Sequence, residues 1–477
     1  MPPVQIRIRL CRFIELCVSF SGIRIPTFYR KSCTMKSSKQ KSNRIESPGE
    51  KKTPQRMIFA NEAGHQIAAI AEQDRLTDFW IQEEQRVDRG ASGNIYRGIV
   101  VKVIPALNAA FVDIGLDRHG FLSYNELAPK KHQQKKHKSR GGPQKQGIEQ
   151  RLKAGDTILV QIEKEAIGGK GPSLTGRVSL PGRFLVYMPY TNAIRMSKML
   201  DETEKKHFHD LIKNEIKIEG GVILRTASKG RSKKDIQHDL GFLTRTWKRI
   251  ESDFETAEGS KLLHREFEVF ERALRDNFSP NISEIIVDHP RLKYRIAQFL
   301  KVISPRSNPD QLIKFHTDKT KSVWSAYNLV RDFDRFFSNR ITLDCGGSII
   351  IEEMETLTAI DVNSGKNVAG KTQEETILET NLEAAQEIPR QLRLRQIGGI
   401  IIIDFIDMRL KRNQEKVFKI LERELKKDRT PSDIQQFTDL GLIQITRQRV
   451  GQSLTKRLTF TCPHCNGSGR RPSIALV

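Results

Sequence analysis

A multidomain α/β architecture with one small β-barrel is the fold class expected of this chain, and three observations predict it. The length of 477 residues corresponds to about three domains at roughly 150 residues each. Short β-branched segments punctuated by glycine and aspartate crowd the region 94–163, the pattern of a small barrel. The last third alternates strand and helix patterns around the apolar run IIIIDF at 400–405, which reads as a strand buried on both faces.

Composition bounds the partners before any motif is read. Lys and Arg number 81 against 57 Asp and Glu, a net charge of +24, and 37% of residues are hydrophobic. These values exclude a membrane channel and a disulfide-stapled miniature fold, and they favour a polyanionic partner such as nucleic acid, ribosome or membrane surface. Residues 1–56 hold +10 and residues 130–153 hold +8, leaving +6 for the remainder. Such segments are either basic arms collecting counterion-release affinity for RNA or solvated tails. The stretch 10–28 is interrupted by Arg12, Glu15 and Arg24, too often for a signal core or a span. Residues 1–56 read as a basic disordered extension, either a transit peptide or an upstream-extended start ahead of Met35 or Met57. Six sparse cysteines fit a reducing compartment.

Taken in order, strands are expected at 94–103 (NIYRGIVVKV), 109–114 (AAFVDI), 120–122 and 157–163 (TILVQIE), together forming an OB-type barrel. Strands at 184–188 and 221–224 and a charged helix at 203–217 follow. Helices are expected at 235–247, 261–278, 290–300 and 323–337, with a buried strand at 284–287. Strands at 348–351 and 357–362, an amphipathic helix at 373–395, the strand 400–405 and a helix at 413–427 complete the chain. Pro389 lies inside the helix 373–395, where a kink is expected because proline removes a backbone hydrogen bond.

The chemistry-bearing residues begin with two aspartates at strand ends. Asp361 (TAIDVN) and Asp404 (IIIIDF) lie 43 residues apart with one helix between. That strand–helix–strand unit lets the two strands pair in parallel, with each carboxylate near the carboxyl end of its strand, where open α/β sheets place their sites. Converging carboxylates suit Mg²⁺, a hard ion taking oxygen ligands, and imply metal-assisted attack of water on a phosphodiester. Asn363 projects from the same strand face as Asp361. The competing account is that Asp361 closes a turn and Asp404 caps the next helix, with Asp407 the better candidate for that cap. Cys462-Pro-His-Cys465, followed by Asn-Gly-Ser-Gly, has the spacing of a metal knuckle. Structural zinc takes four ligands and the chain has no second CxxC, so the motif is a zinc shared by two chains, a redox pair, an unoccupied remnant, or a site completed by His464 or Cys345. Phe111 and Phe121, with Tyr96 near and Arg97, Lys102, Arg118 and Lys170 interleaved, are a base-stacking face or barrel core. Arg225 and Thr226 end a strand as a phosphate grip or a surface salt bridge.

Together these segments resemble the ribonuclease E/G family of bacterial endoribonucleases, over about residues 57–470. The resemblance is carried by GNIYRG at 93–98, AAFVDIG at 109–115, HGFL at 119–122, LRTA at 224–227 and LTAIDVNSG at 357–365. It continues with ETNLEAAQEIPRQLRLRQIGGIIIIDFIDM at 379–408, TRQR at 446–449 and CPHCNGSG at 462–469. The resemblance implies an RNase H-like fold in two parts, 57–92 and 272–336, with an S1 domain at 93–176 bearing the basic insertion 129–153. It further implies a 5′-sensor region at 177–271, a DNase I-like catalytic domain at 337–458 and a zinc link at 459–477. Asp361, Asp404 and Asn363 then become the catalytic set with Mg²⁺ on the two aspartates. Phe111, Phe121 and Lys170 become RNA contacts, Arg225 and Thr226 a 5′-monophosphate pocket, and Cys462 and Cys465 the ligands of a zinc joining a homodimer. The implied activity is cleavage of single-stranded RNA to 5′-phosphate and 3′-hydroxyl ends, in rRNA processing and mRNA decay in a bacterial cytoplasm. A non-catalytic RNA-binding or ribosome-assembly factor is the alternative. The chain stops soon after the cysteine pair, without the family's usual further small domain or a long scaffold tail, so the expectation leans to the G branch and to no assembly beyond a dimer.

Overall fold

The computed structural model describes residues 54–83, 90–129, 147–166, 170–318, 320–365, 372–438, 440–465, 467 and 469, all within the unit Pro54–Val477. The basic extension up to residue 53 and the basic insertion from 130 to 146 lie outside the described residues.

The first sheet contains three strands that the sequence reading did not resolve. Gln55–Glu62, His65–Glu72 and Arg75–Glu83 form an antiparallel meander. The first hairpin turns on Ala63 and Gly64, both with positive φ (50° and 75°), the backbone twist that two-residue hairpins favour. Ile282–Val287 and then Ile313–Phe315 pair in parallel beside Gln55–Glu62. Both faces of this sheet are covered. Met57, Phe59, Ala68 and Ile70 pack with the helices Val269–Asn277 and Pro290–Ile303, whereas Ile58, Ala60, Ile67 and Ala69 pack with Trp324, Phe336 and Leu394. Burial on both sides erases the polar alternation by which such strands are read.

The barrel forms as expected. Ile95–Ile104, Ala109–Asp113, Gly120–Ser123, Thr157–Lys164 and Ser173–Thr175 make one sheet that closes by pairing its first strand with Thr157–Lys164. Its core holds Tyr96, Val100, Val112, Leu122, Val160 and Ile162. One expectation fails here. Residues 261–278 are not a single helix: Lys261–His264 is a strand on the edge of Ile95–Ile104, and only Val269–Asn277 is helical. An open strand edge captured this segment against its helical pattern, a tertiary override of propensity. Two other helices are also shorter than expected. The helix Glu202–Asp210 passes into a π-type turn at Leu211–Glu215. The stretch 323–337 divides into Val323–Ala326 and Val330–Phe337, because Asn328 adopts φ 58°, which ends a right-handed helix.

Between barrel and C-terminal sheet in sequence comes a four-stranded sheet in the order Ile194–Met196, Gly221–Leu224, Leu185–Met188, Leu180–Pro181. It is covered by the long helix Lys233–Thr256, whose start is fixed by a Ser232/Asp235 capping box.

The last sheet has six strands in the order Arg340–Thr342, Ser348–Glu353, Leu357–Asn363, Gly399–Asp404, Leu442–Arg447, Ser432–Ile434. The helices Gln373–Leu394 and Lys411–Leu425 cover one face. Ile349, Ile351, Ile360, Val362, Ile401, Ile403, Ile443 and Ile445 fill the core between. The run at 400–405 is therefore not buried on both faces: Ile401 and Ile403 are 0% exposed, but Ile400 is 53% exposed, because among the described residues no helix lies over the other face. The helix Gln373–Leu394 continues as one element through the buried Pro389. Its C-terminal half is tied to the first sheet: Asp332 accepts from the Leu76 amide (2.7 Å) and from Arg390 (3.0 Å), and Glu387 pairs with Arg75 (3.2 Å).

Truncating Ile403 to alanine is expected to destabilise the chain by about 2–5 kcal/mol, read as a lower midpoint in urea unfolding with an unchanged slope.

Candidate active site

The parallel pairing of Leu357–Asn363 with Gly399–Asp404 sets Asp361 directly opposite Asp404. Cross-strand partners share a face, so both carboxylates stand on the open side of the sheet, and both residues are exposed. Neither plays the structural part weighed for it. Asp361 lies inside its strand rather than at a turn. The next helix begins at Lys411 with Leu410 as its N-cap and no side-chain cap, so neither Asp404 nor Asp407 caps it; the loop from Phe405 to Leu410 sets the helix too far along the chain.

The electrostatics of the pair are unfavourable in isolation. Partial burial, and then the charges of Asp361 and Asp407, push the Asp404 carboxyl above its ordinary value. Asn363 donates from Nδ2 to Asp361 Oδ2 at 2.5 Å, which orients that carboxylate. The repulsion at Asp404 is what a cation between the carboxylates would relieve, and two exposed carboxylates are the donor type by which Mg²⁺ is held. The donor set thus fits the ion. Among the described residues no group of three or more His, Cys, Asp or Glu is placed to hold a metal.

Two supporting residues on the long helix were missed from sequence. Asn381, fully buried, donates to the Ile406 carbonyl (2.8 Å) and accepts from the Ile406 amide (3.2 Å), pinning the chain just beyond Asp404. Glu383 accepts from the amides of Asp344 (2.5 Å) and Cys345 (2.9 Å), holding the turn before Ser348–Glu353. The available signal was a polar residue at a core-facing helical position, since Asn381 lies three and four residues from the buried Ala384 and Ala385.

Phe111 and Phe121 are cross-strand partners with rings edge to face at 5.9 Å. Both are half-buried and lie outside the barrel core, whereas Tyr96 is 3% exposed within it. Lys170 is exposed three residues ahead of Ser173, which pairs with Phe121. The barrel therefore presents an aromatic pair and leaves Tyr96 to packing.

Arg225 donates from Nη1 to the Gly182 carbonyl and to Asp276 Oδ1, each at 2.7 Å. Burial raises the Asp276 carboxyl, but the Arg275 and Arg225 guanidiniums outweigh it and hold the group below its ordinary value. The salt-bridge account of Arg225 is thus realised. Thr226 is exposed, its hydroxyl 2.9 Å from that of Ser197.

Among the described residues, Cys462 and Cys465 are not joined by a disulfide. The amides of Gly469 and Gly467, and then the Cys462 side chain, hold the Cys465 thiol below its ordinary value, which favours the thiolate that binds metal. Cys345 lies elsewhere, its sulfur 3.8 Å from Thr380 Oγ1.

Replacing Asp361 by asparagine removes one of the charges acting on Asp404. The Asp404 carboxyl is expected to titrate at lower pH in that variant than in the wild type, followed by carboxyl ¹³C shifts. An unchanged titration would show that the two groups do not interact.

Comparison with known proteins adds an independent line. The Ribonuclease E/G family profile matches residues 179–450, and the S1 RNA binding domain profile matches residues 90–175. Ribonuclease G of Salmonella typhimurium is 34% identical over 84% of this chain and 81% of its own length. Ribonuclease E of Nostoc sp. is 34% identical over 87% of this chain and 59% of its own length. Ribonuclease E of Escherichia coli is 36% identical over 87% of this chain and 38% of its own length. The chain thus spans less than two thirds of the length of these two ribonucleases E. A mixed α/β protein with an S1-type β-barrel and a second matched region that contains both aspartates, it belongs to the Ribonuclease E/G family.

Proposed function

We propose that this chain is an endoribonuclease that hydrolyses single-stranded RNA to 5′-phosphate and 3′-hydroxyl ends, in rRNA processing and mRNA decay. The observation that carries the reading is the in-register opposition of Asp361 and Asp404 on parallel strands. Asp361 and Asp404 would hold one Mg²⁺, which when bound supplies charge stabilisation at the phosphodiester under attack by water. Asn363 keeps the Asp361 carboxylate turned for that task through its 2.5 Å hydrogen bond. Asp404 must be ionised to hold the ion, and burial and the charges of Asp361 and Asp407 raise its carboxyl in the ion-free chain, so a proton and the cation compete for it.

The remaining parts serve the substrate. Phe111 and Phe121 offer ring faces for unpaired bases, and Lys170 a cation for the backbone. Arg225 and Thr226 receive a 5′-monophosphate, which competes with Asp276 for the Arg225 fork. Residues 57–92 and 272–336 form the RNase H-like part, 93–176 the S1 domain, 177–271 the 5′ sensor and 337–458 the DNase I-like catalytic domain. Residues 459–477 form a zinc link in which Cys462 and Cys465 of two chains give four thiolates to one ion, making a homodimer.

Asp361→Asn or Asp404→Asn is expected to lower cleavage of a short 5′-phosphorylated RNA by roughly 100-fold or more, with binding measured by fluorescence anisotropy in EDTA nearly unchanged; normal cleavage would remove the site. Metal analysis of purified protein is expected to return about half a zinc per chain, and chelation to release monomers in sedimentation; one zinc per chain would contradict sharing. Arg225→Ala is expected to erase the preference for 5′-monophosphorylated over 5′-hydroxylated RNA in competition cleavage, and a retained preference would remove the phosphate pocket.

A further inference from the structure

Beside the aspartate pair, the open face of the sheet carries a hydroxyl that the reading above does not use. Ser348 begins the strand Ser348–Glu353 and pairs with Asn363 across the antiparallel ladder. Its other cross-strand partner is Thr342. Cross-strand partners point the same way, so Ser348 and Asn363 lie on the face that carries Asp361. Unlike its exposed neighbours, Ser348 is 2% exposed, and its Oγ is shut off from solvent without a hydrogen-bond partner. Buried hydroxyls are nearly always satisfied, and an exception calls for a cause.

The surroundings hold Ser348 where it is. The turn before it is closed by Leu343 N to Gly347 O (2.8 Å) and by Glu383 on the Asp344 and Cys345 amides. A Cβ built on Gly347 would lie 2.6 Å from Thr380 Cγ2 and 2.8 Å from the Asn363 carbonyl oxygen. The turn is therefore clamped between the long helix and the Asn363 backbone. Asn363 itself commits Nδ2 to Asp361 Oδ2, leaving its Oδ1 as an acceptor on the same face as the Ser348 hydroxyl.

We propose that Ser348 is a positioning residue for Asn363. Its hydroxyl donates to Asn363 Oδ1 once Asp361 is engaged by its ligand, so that Asn363 Nδ2 stays on Asp361 Oδ2 and keeps that carboxylate turned. This assignment rests on the nuclease reading for the role of Asn363, not for the contact between the two side chains.

The test combines kinetics with a readout independent of turnover. Ser348→Ala and Ser348→Thr are made in the wild-type chain and in Asn363→Ala, and assayed on a 5′-phosphorylated single-stranded RNA decamer with Mg²⁺, with Tm measured for each. Exchange of the Asn363 side-chain amide is followed by ¹⁵N NMR with and without Mg²⁺. Ser348→Ala is expected to lower kcat about tenfold, a difference of about 1.4 kcal/mol, with KM and Tm unchanged. The threonine variant, which keeps the hydroxyl, is expected to restore kcat. In the Asn363→Ala background the alanine change is expected to cost nothing further, and in Mg²⁺ the Asn363 amide is expected to exchange faster in Ser348→Ala than in wild type. Wild-type kcat in Ser348→Ala, an equal loss in the Asn363→Ala background, or a loss that follows a lowered Tm and is not restored by threonine would overturn the proposal. Should the wild-type chain fail to cleave RNA, the nuclease reading falls, and the amide exchange alone decides whether Ser348 holds Asn363: faster exchange in the alanine variant supports it and unchanged exchange overturns it.

Discussion

The register between two parallel strands is the constraint on which the rest depends. Asp361 meets Asp404 only because Ile360 meets Ile403 and Thr358 meets Ile401 in the same ladder. A slip of one residue would turn Ile401 and Ile403 toward solvent and Asp404 toward the core. Each isoleucine side chain gains about 1.5–3 kcal/mol from burial, whereas the carboxylates oppose one another at the exposed end of the pair. The apolar layer therefore wins, and the charged pair is held together by packing on the opposite face of the sheet. An unfavourable arrangement kept in place by a favourable core is the usual mark of a site built for something other than stability.

The helix Gln373–Leu394 carries that order into the surrounding structure. Ala384, Ala385 and Ile388 lie in the core beneath the isoleucine layer, while Asn381 and Glu383 reach the two turns beside the aspartates. Further along, Glu387 and Arg390 join Arg75 and Asp332, and Arg395 donates to the carbonyls of Arg335 and Ser338. Asp332, Glu387 and Arg390 of this set are buried, so removing one takes a charged partner from the others. One helix thus joins the first sheet to the turns beside the aspartates.

Where sequence and structure part, the reasons are physical. The aspartate pair was legible because strand periodicity and one intervening helix suffice to place two strand ends side by side. The barrel was legible because its strands are short and glycine-bounded. The meander at 55–83 was not, since burial on both faces left Ile67 and Ala68 indistinguishable as inward or outward positions. At 400–405 the error was the reverse: four isoleucines implied burial on both faces, yet Ile400 lies open, because apolarity does not reveal which face lacks a helix. The helix drawn through 261–278 failed because Lys261–His264 found a strand edge distant in sequence. Ser348 lies outside every quoted motif, and Asn381 lies within the segment 379–408 without being singled out there: each matters through a partner, Asn363 or Ile406, that only the fold brings near.

The most direct measurement is diffraction from crystals soaked in Mn²⁺, with anomalous data collected at its absorption edge. The account predicts one strong peak coordinated by carboxylate oxygens of both Asp361 and Asp404, and its loss in Asp404→Asn. A peak bound elsewhere with none at the pair, or one that survives unchanged in Asp404→Asn, would contradict it.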